Sequence, residues 1–79
     1  MTIKLHLLST LHCHLCEDAI LLLELINSDQ EIEWDVIEIT DDETLLITYG
    51  NFIPVIKRND TNAVLKWPFS RRDIEQFIT

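Results

Sequence analysis

The hydrophobic period of the chain changes at Cys13, and this change limits what the chain can become. Ile3 to Leu8 is a short, mostly apolar run with the character of a buried strand, followed by a polar-leaning turn of Ser9, Thr10, Leu11 and His12. From His14 to Ile26 the pattern is helical. Leu15, Ala19, Leu22, Leu23 and Ile26 recur on one face, with Glu17, Glu24 and Ser28 on the other. The joint between the two patterns is Cys13-His14-Leu15-Cys16, which holds both cysteines of the chain.

Two cysteines three apart in a first helical turn have alpha carbons about 5 Å apart, within reach of a disulfide that opens and closes without unfolding the helix. At a helix N-terminus the unpaired N–H groups and the macrodipole favour an anion, so a Cys13 thiolate is expected to be stabilised. Cys16, one turn deeper, is expected to stay protonated longer. This asymmetry suits thiol–disulfide exchange, with Cys13 as attacking thiolate and Cys16 as resolving thiol. His14 is expected to face solvent as a substrate-contacting residue, its partial positive charge further favouring the Cys13 thiolate. Two other readings stay open. The cysteines can be small buried hydrophobes, or His12, Cys13, His14 and Cys16 can serve a metal or cluster carrier. Adjacent residues at a helix start point in different directions, however, and the one remaining histidine, His6, lies in the first strand, so no metal ligands are assigned.

The chain has 79 residues, 47% of them apolar, which fits a single domain over 1–79. No basic segment followed by an apolar one opens the sequence, and no run approaches membrane-spanning length, so a cytoplasmic location is expected. In a reducing compartment a cysteine pair at this spacing is catalytic or sensing before it is a structural staple. The net charge of −8 argues against nucleic-acid binding. The charge is uneven: up to Gly50 only Lys4 opposes eleven acids, whereas Lys57, Arg58, Lys66, Arg71 and Arg72 outnumber three acids beyond it. Ordinary solvated surface accounts for this, and the sharper alternative is an anion-attracting rim near the last helix.

Asn27 to Gln30 is a polar break, and Glu31 to Ile39 is a strand in which Ile32, Trp34 and Val36 share one face before Ile37 and Ile39 shift to the other. Strand, helix, strand makes a right-handed parallel crossover. Thr40-Asp41-Asp42-Glu43 matches a capping box for a short helix reaching Thr48 or Tyr49, which Gly50 ends. Phe52 to Ile56 is a strand in which Pro54 indicates an edge or an entry point. Asn59 to Asn62 turns the chain into a return strand, Ala63 to Lys66. Ser70-Arg71-Arg72-Asp73 is a second capping box, with Ile74, Phe77 and Ile78 on one face of a closing helix.

This order of elements, with Cys-His-Leu-Cys opening the first helix and Tyr49-Gly50-Asn51-Phe52-Ile53-Pro54 entering the hairpin, resembles the small bacterial glutaredoxin-like proteins over essentially the whole chain. The resemblance implies an α/β, thioredoxin-like fold of glutaredoxin type, β-α-β-α-β-β-α, with a four-stranded mixed sheet flanked by helices. It implies that Cys13 is the nucleophile and Cys16 the resolving thiol. It also implies a cis Ile53-Pro54 bond, which places Pro54 beside the dithiol and leaves the Ile53 backbone to pair with an extended substrate.

Typical glutaredoxins have proline and tyrosine between the cysteines, where this chain has His14 and Leu15. They also carry a glycine pair before the last helix that lets glutathione approach, where this chain has the bulky Lys66-Trp67-Pro68-Phe69. Trp67 is therefore core or groove wall, and Ser70 and Arg71, at the start of the last helix, are the candidates for holding a substrate carboxylate. The expectation is a monomeric thiol–disulfide oxidoreductase with no bound cofactor, acting on a disulfide-containing protein or a low-molecular-weight thiol, with glutathione or a reductase resetting it. The competing class is a non-catalytic module that binds partners along the Phe52 to Pro54 edge.

Overall fold

A computed structural model describes residues 2–79. Its elements are β1 (Ile3–Ser9), α1 (His14–Asn27), β2 (Ile32–Glu38), a 3-10 turn (Ile39–Asp41), α2 (Glu43–Tyr49), β3 (Val55–Arg58), β4 (Val64–Lys66) and α3 (Arg71–Phe77). The order is the one expected from the sequence. The strands form one mixed sheet in the order β2-β1-β3-β4. β1 pairs in parallel with β2 from Ile3↔Ile32 to Ser9↔Glu38 and antiparallel with β3 from Leu5↔Arg58 to Leu8↔Val55. β4 completes the hairpin, with Val55 opposite Lys66.

Alternation along β1 builds two cores. Leu5 and Leu7 point to one face and pack with Ala19, Leu23 and Ile26 of α1, Ile56 of β3, and Phe69, Ile74 and Ile78 at the C-terminal end. Leu8 points to the other face and packs with Ile39 and Val55, flanked by Leu45 and Tyr49 of α2. Covering both faces is what allows β1 and β3 to be so apolar. The face shift in β2 follows the same logic, since Trp34 packs on the first core and Ile37 on the second. Val36, expected to share the face of Ile32 and Trp34, is 54% exposed, on a strand that lies at the edge of the sheet.

The buried seam of α1 is Cys16, Ala19, Leu23 and Ile26. Leu15, assigned by periodicity to that seam, is instead 46% exposed: the 3-4-3 spacing through Cys16 turns Leu15 about 100° away from the core. The box at Thr40 also shifts. Asp42, not Thr40, caps α2 and accepts from the N–H groups of Thr44 and Leu45, while the Thr40 hydroxyl donates to Glu38. Gly50 ends α2, but with φ −54° rather than the left-handed conformation usual for glycine there. Pro54 marks the entry to β3, which lies inside the sheet and is not an edge. The second capping box forms as expected, with the Ser70 hydroxyl accepting from Asp73 N–H and the Asp73 carboxylate accepting from Ser70 N–H.

At the end of β3, Arg58 donates to the carbonyl of Phe77 at 2.7 Å and pairs with Asp60 at 2.7 Å, tying the hairpin to the end of α3. The hydrogen bond from Arg58, reinforced by its charge and opposed by partial desolvation, holds the Asp60 carboxyl below its usual range. A depressed carboxyl contributes stability above its unfolded-state value, about 4, and loses that contribution as pH falls through the folded value. Denaturation midpoints measured from pH 6 to pH 3 should therefore fall more steeply for the native chain than for Asp60→Asn, and parallel curves would show that the pair does not stabilise the fold.

Candidate dithiol site

Cys13 is the N-cap of α1, with extended backbone at φ −94° and ψ 103°, and its Sγ accepts the N–H of Cys16 at 3.2 Å. The cap oxygen of an ordinary helix is thus replaced by sulfur, and the first-turn N–H groups and helix dipole act on that atom. The two cysteines are disulfide-bonded, with alpha carbons 5.2 Å apart, so the structure describes the oxidised dithiol. Cys13 is half-buried, whereas Cys16 is only 2% exposed.

The turn that delivers Cys13 is held from β2. One carboxylate oxygen of Glu38 accepts from the Thr10 hydroxyl at 3.0 Å, the Leu11 N–H at 3.3 Å and the Thr40 hydroxyl at 2.9 Å. His12 then takes φ 61°, a left-handed conformation in which histidine is enriched among side-chain-bearing residues. His12 therefore has a backbone role in the turn. Nothing in the sequence marks Glu38 as holding this turn, because the partners in the turn, Leu11 and Thr10, lie 27 and 28 residues away. The clue was indirect: once β1 and β2 are parallel and in register, Glu38 falls opposite Ser9 and beside the turn.

The Ile53-Pro54 bond is cis, as the family resemblance implied, and Trp67-Pro68 is cis as well. Continuing the register beyond Leu8↔Val55 brings Pro54 alongside Ser9, at the end of the sheet from which the dithiol turn departs. Pro54 is buried and its carbonyl accepts the Trp67 N–H at 3.1 Å. Among the described residues, the N–H and C=O of Ile53 make no backbone hydrogen bond. Phe52, one residue before Ile53, is 45% exposed, with the Lys66 ammonium 4.2 Å from its ring centroid.

The other expected substrate-binding residues are more dispersed. His14 is almost fully exposed, with Nδ1 3.7 Å from the Glu17 carboxylate. Trp67 is half-buried and meets Phe69 edge to face with centroids 5.0 Å apart, while Phe69 belongs to the core. Ser70 is engaged in capping α3. Arg71 is ion-paired with Asp29 and lies 3.8 Å from Glu75. Asp29 follows the C-terminal end of α1, about 20 Å along the helix axis from Cys13, so the Arg71 guanidinium is directed away from the dithiol. Among the described residues no group of three or more His, Cys, Asp or Glu is arranged to hold a metal ion. No helix of the described chain is long and apolar enough to cross a membrane. A cavity of about 530 Å³ lies at the opposite end of the sheet, between the start of β1, the β3–β4 turn and Ile78.

A four-stranded mixed sheet with a cysteine pair capping its first helix defines a thioredoxin-like protein, and solved structures agree. The solution structure of protein Ne2328 from Nitrosomonas europaea has a TM-score of 0.87 and 26% identity, covering 98% of this chain and 92% of that one. The structural-genomics target XcR50 from X. campestris has a TM-score of 0.76 and 27% identity, covering 92% of each chain. No curated protein matches. The chain belongs to the glutaredoxin-like domain family (DUF836), whose model matches residues 4–79.

Replacing Glu38 with alanine removes one acceptor from three donors and should cost about 1–2 kcal/mol in urea unfolding. Glu38→Gln, which keeps a carbonyl oxygen, should recover most of that. Hydrogen exchange at the Leu11 amide should accelerate in the alanine variant; unchanged exchange and stability would show that Glu38 does not hold the turn.

Proposed function

We propose that the chain is a thiol–disulfide oxidoreductase in which Cys13 attacks and Cys16 resolves. The observation that carries this reading is the sulfur of Cys13 at the N-cap of α1, partly open to solvent, with Cys16 buried one turn behind it. In the reduced protein the Cys13 thiolate attacks one sulfur of a substrate disulfide. That S–S bond breaks, the departing thiolate takes a proton, and Cys13 is left in a mixed disulfide. Cys16 then loses its proton and attacks the Cys13 sulfur, releasing the second substrate thiol and closing the Cys13–Cys16 bond. Two electrons pass from the dithiol to the substrate.

The backbone of Ile53, beside the buried Pro54, supplies unpaired groups with which an extended substrate segment can align. Glutathione or a protein reductase in the cytoplasm would return the pair to the dithiol.

Cys13→Ser should abolish turnover of a disulfide substrate, because it removes the nucleophile. Cys16→Ser should accumulate a mixed disulfide at Cys13, seen after acid quench and alkylation as a mass increase of one substrate thiol. Turnover that survives Cys13→Ser would rule the assignment out.

A further inference from the structure

The surface around Cys13 combines two features that belong to different stretches of sequence. Leu11, two residues before Cys13, is 77% exposed, and Leu15, between the cysteines, is 46% exposed. Phe52, on the segment entering β3 beside the dithiol turn, is 45% exposed. These three side chains place apolar surface on the segments that frame the disulfide. The fold also gathers carboxylates there. Glu17 and Asp18 lie on the first turns of α1, Glu38 holds the dithiol turn, and Asp41, Asp42 and Glu43 follow directly from that end of β2.

Few cations oppose them. Lys66 lies at this end, over Phe52. Lys4, Lys57 and Arg58 lie toward the other end of the sheet, as their pairing with Glu33, His6 and Leu5 requires. Arg71 is held by Asp29, and Arg72 is exposed on the first turn of α3. Two histidines lie nearby: His12 is exposed in the dithiol turn, and His14 has Nδ1 3.7 Å from the Glu17 carboxylate. The dithiol end is thus apolar at its centre and strongly anionic around it.

We propose that this face selects a polypeptide disulfide flanked by apolar and basic side chains, and disfavours oxidised glutathione. The inference rests on the dithiol function proposed above and assigns its substrate class by charge complementarity. Oxidised glutathione carries a net charge of about −2 at neutral pH and must approach through a field of its own sign, whereas a basic segment is drawn in and can lay leucine-sized side chains on Leu11, Leu15 and Phe52.

The test uses the reduced full chain and stopped-flow oxidation by cystamine, bis(2-hydroxyethyl) disulfide and oxidised glutathione, which are cationic, neutral and anionic. Each rate is divided by that of dithiothreitol with the same compound, which removes differences in leaving thiol. Two disulfide-linked peptide dimers, with leucine and lysine or leucine and glutamate flanking the cysteine, extend the comparison. The expected normalised order is cationic, neutral, anionic, spanning at least ~10-fold at low ionic strength and shrinking to within ~3-fold at 0.5 M salt. The lysine peptide should outrun the glutamate peptide, and Glu17→Gln combined with Asp18→Asn should narrow both gaps. A flat or reversed order at low salt, or a gap that salt does not narrow, would overturn the selectivity. Failure of all five disulfides to exchange would instead overturn the dithiol function itself, and this proposal with it.

Discussion

Everything in this fold hangs on β1 being hydrogen-bonded along both edges, apolar along its Leu5 and Leu7 face and, at its C-terminal end, on the opposite face at Leu8. Its parallel partner β2 and antiparallel partner β3 are brought together only through it, and its alternating leucines found the two cores. The backbone groups of so buried a strand must all be paired within the protein, and the two neighbouring ladders serve that need. The consequence for chemistry is positional. Where β1 ends, at the buried Ser9, the chain leaves the sheet in a fixed direction, and four residues later it caps α1 with a cysteine. Pro54 enters β3 at the same end because β3 runs antiparallel to β1.

The cap itself is informative about why cysteine stands there. Cysteine is not among the residues that cap helices best, and a serine or aspartate at position 13 would satisfy the Cys16 N–H at least as well. Helix stability therefore does not explain the residue. The thiol–disulfide exchange proposed above does, since the sulfur that accepts the N–H as a cap would be the group that carries negative charge as a thiolate, with the same donor. Holding such a sulfur in one place requires a turn that does not wander, and Glu38 provides that from a neighbouring strand by gathering three donors on one oxygen.

What could be seen in the sequence followed the range of the interactions. Element order, the dithiol at the helix start and the Ser70 capping box are written in neighbouring residues, and they were visible. The misplaced features depend on what lies across the sheet. Leu15 and Cys16 both suit a helical seam, and only the packing of α1 on the sheet decides that Cys16 is buried and Leu15 turns outward. Val36 fits a buried face until β2 is found at the edge. Thr40 has the sequence of a cap, but Glu38 takes its hydroxyl and leaves the capping to Asp42. Arg71 begins a helix whose N-terminus suits an anion, yet it is the ion-pair partner of an aspartate beyond the far end of α1.

The charge distribution shows the same dependence on topology. Along the sequence the acids are merely frequent before Gly50, which ordinary solvation explains. Parallel pairing of β1 with β2 then brings the end of β2 and the start of α1 to one end of the sheet, and their carboxylates become one field. That field surrounds the N-terminus of α1, whose unpaired N–H groups carry the opposite sign. An approaching cationic segment changes the balance by cancelling the field of the carboxylates while leaving the N–H groups in place. On the selectivity proposed above, the two features act together: the carboxylates draw the cationic segment in, and the N-terminus of α1 holds the sulfur that meets it.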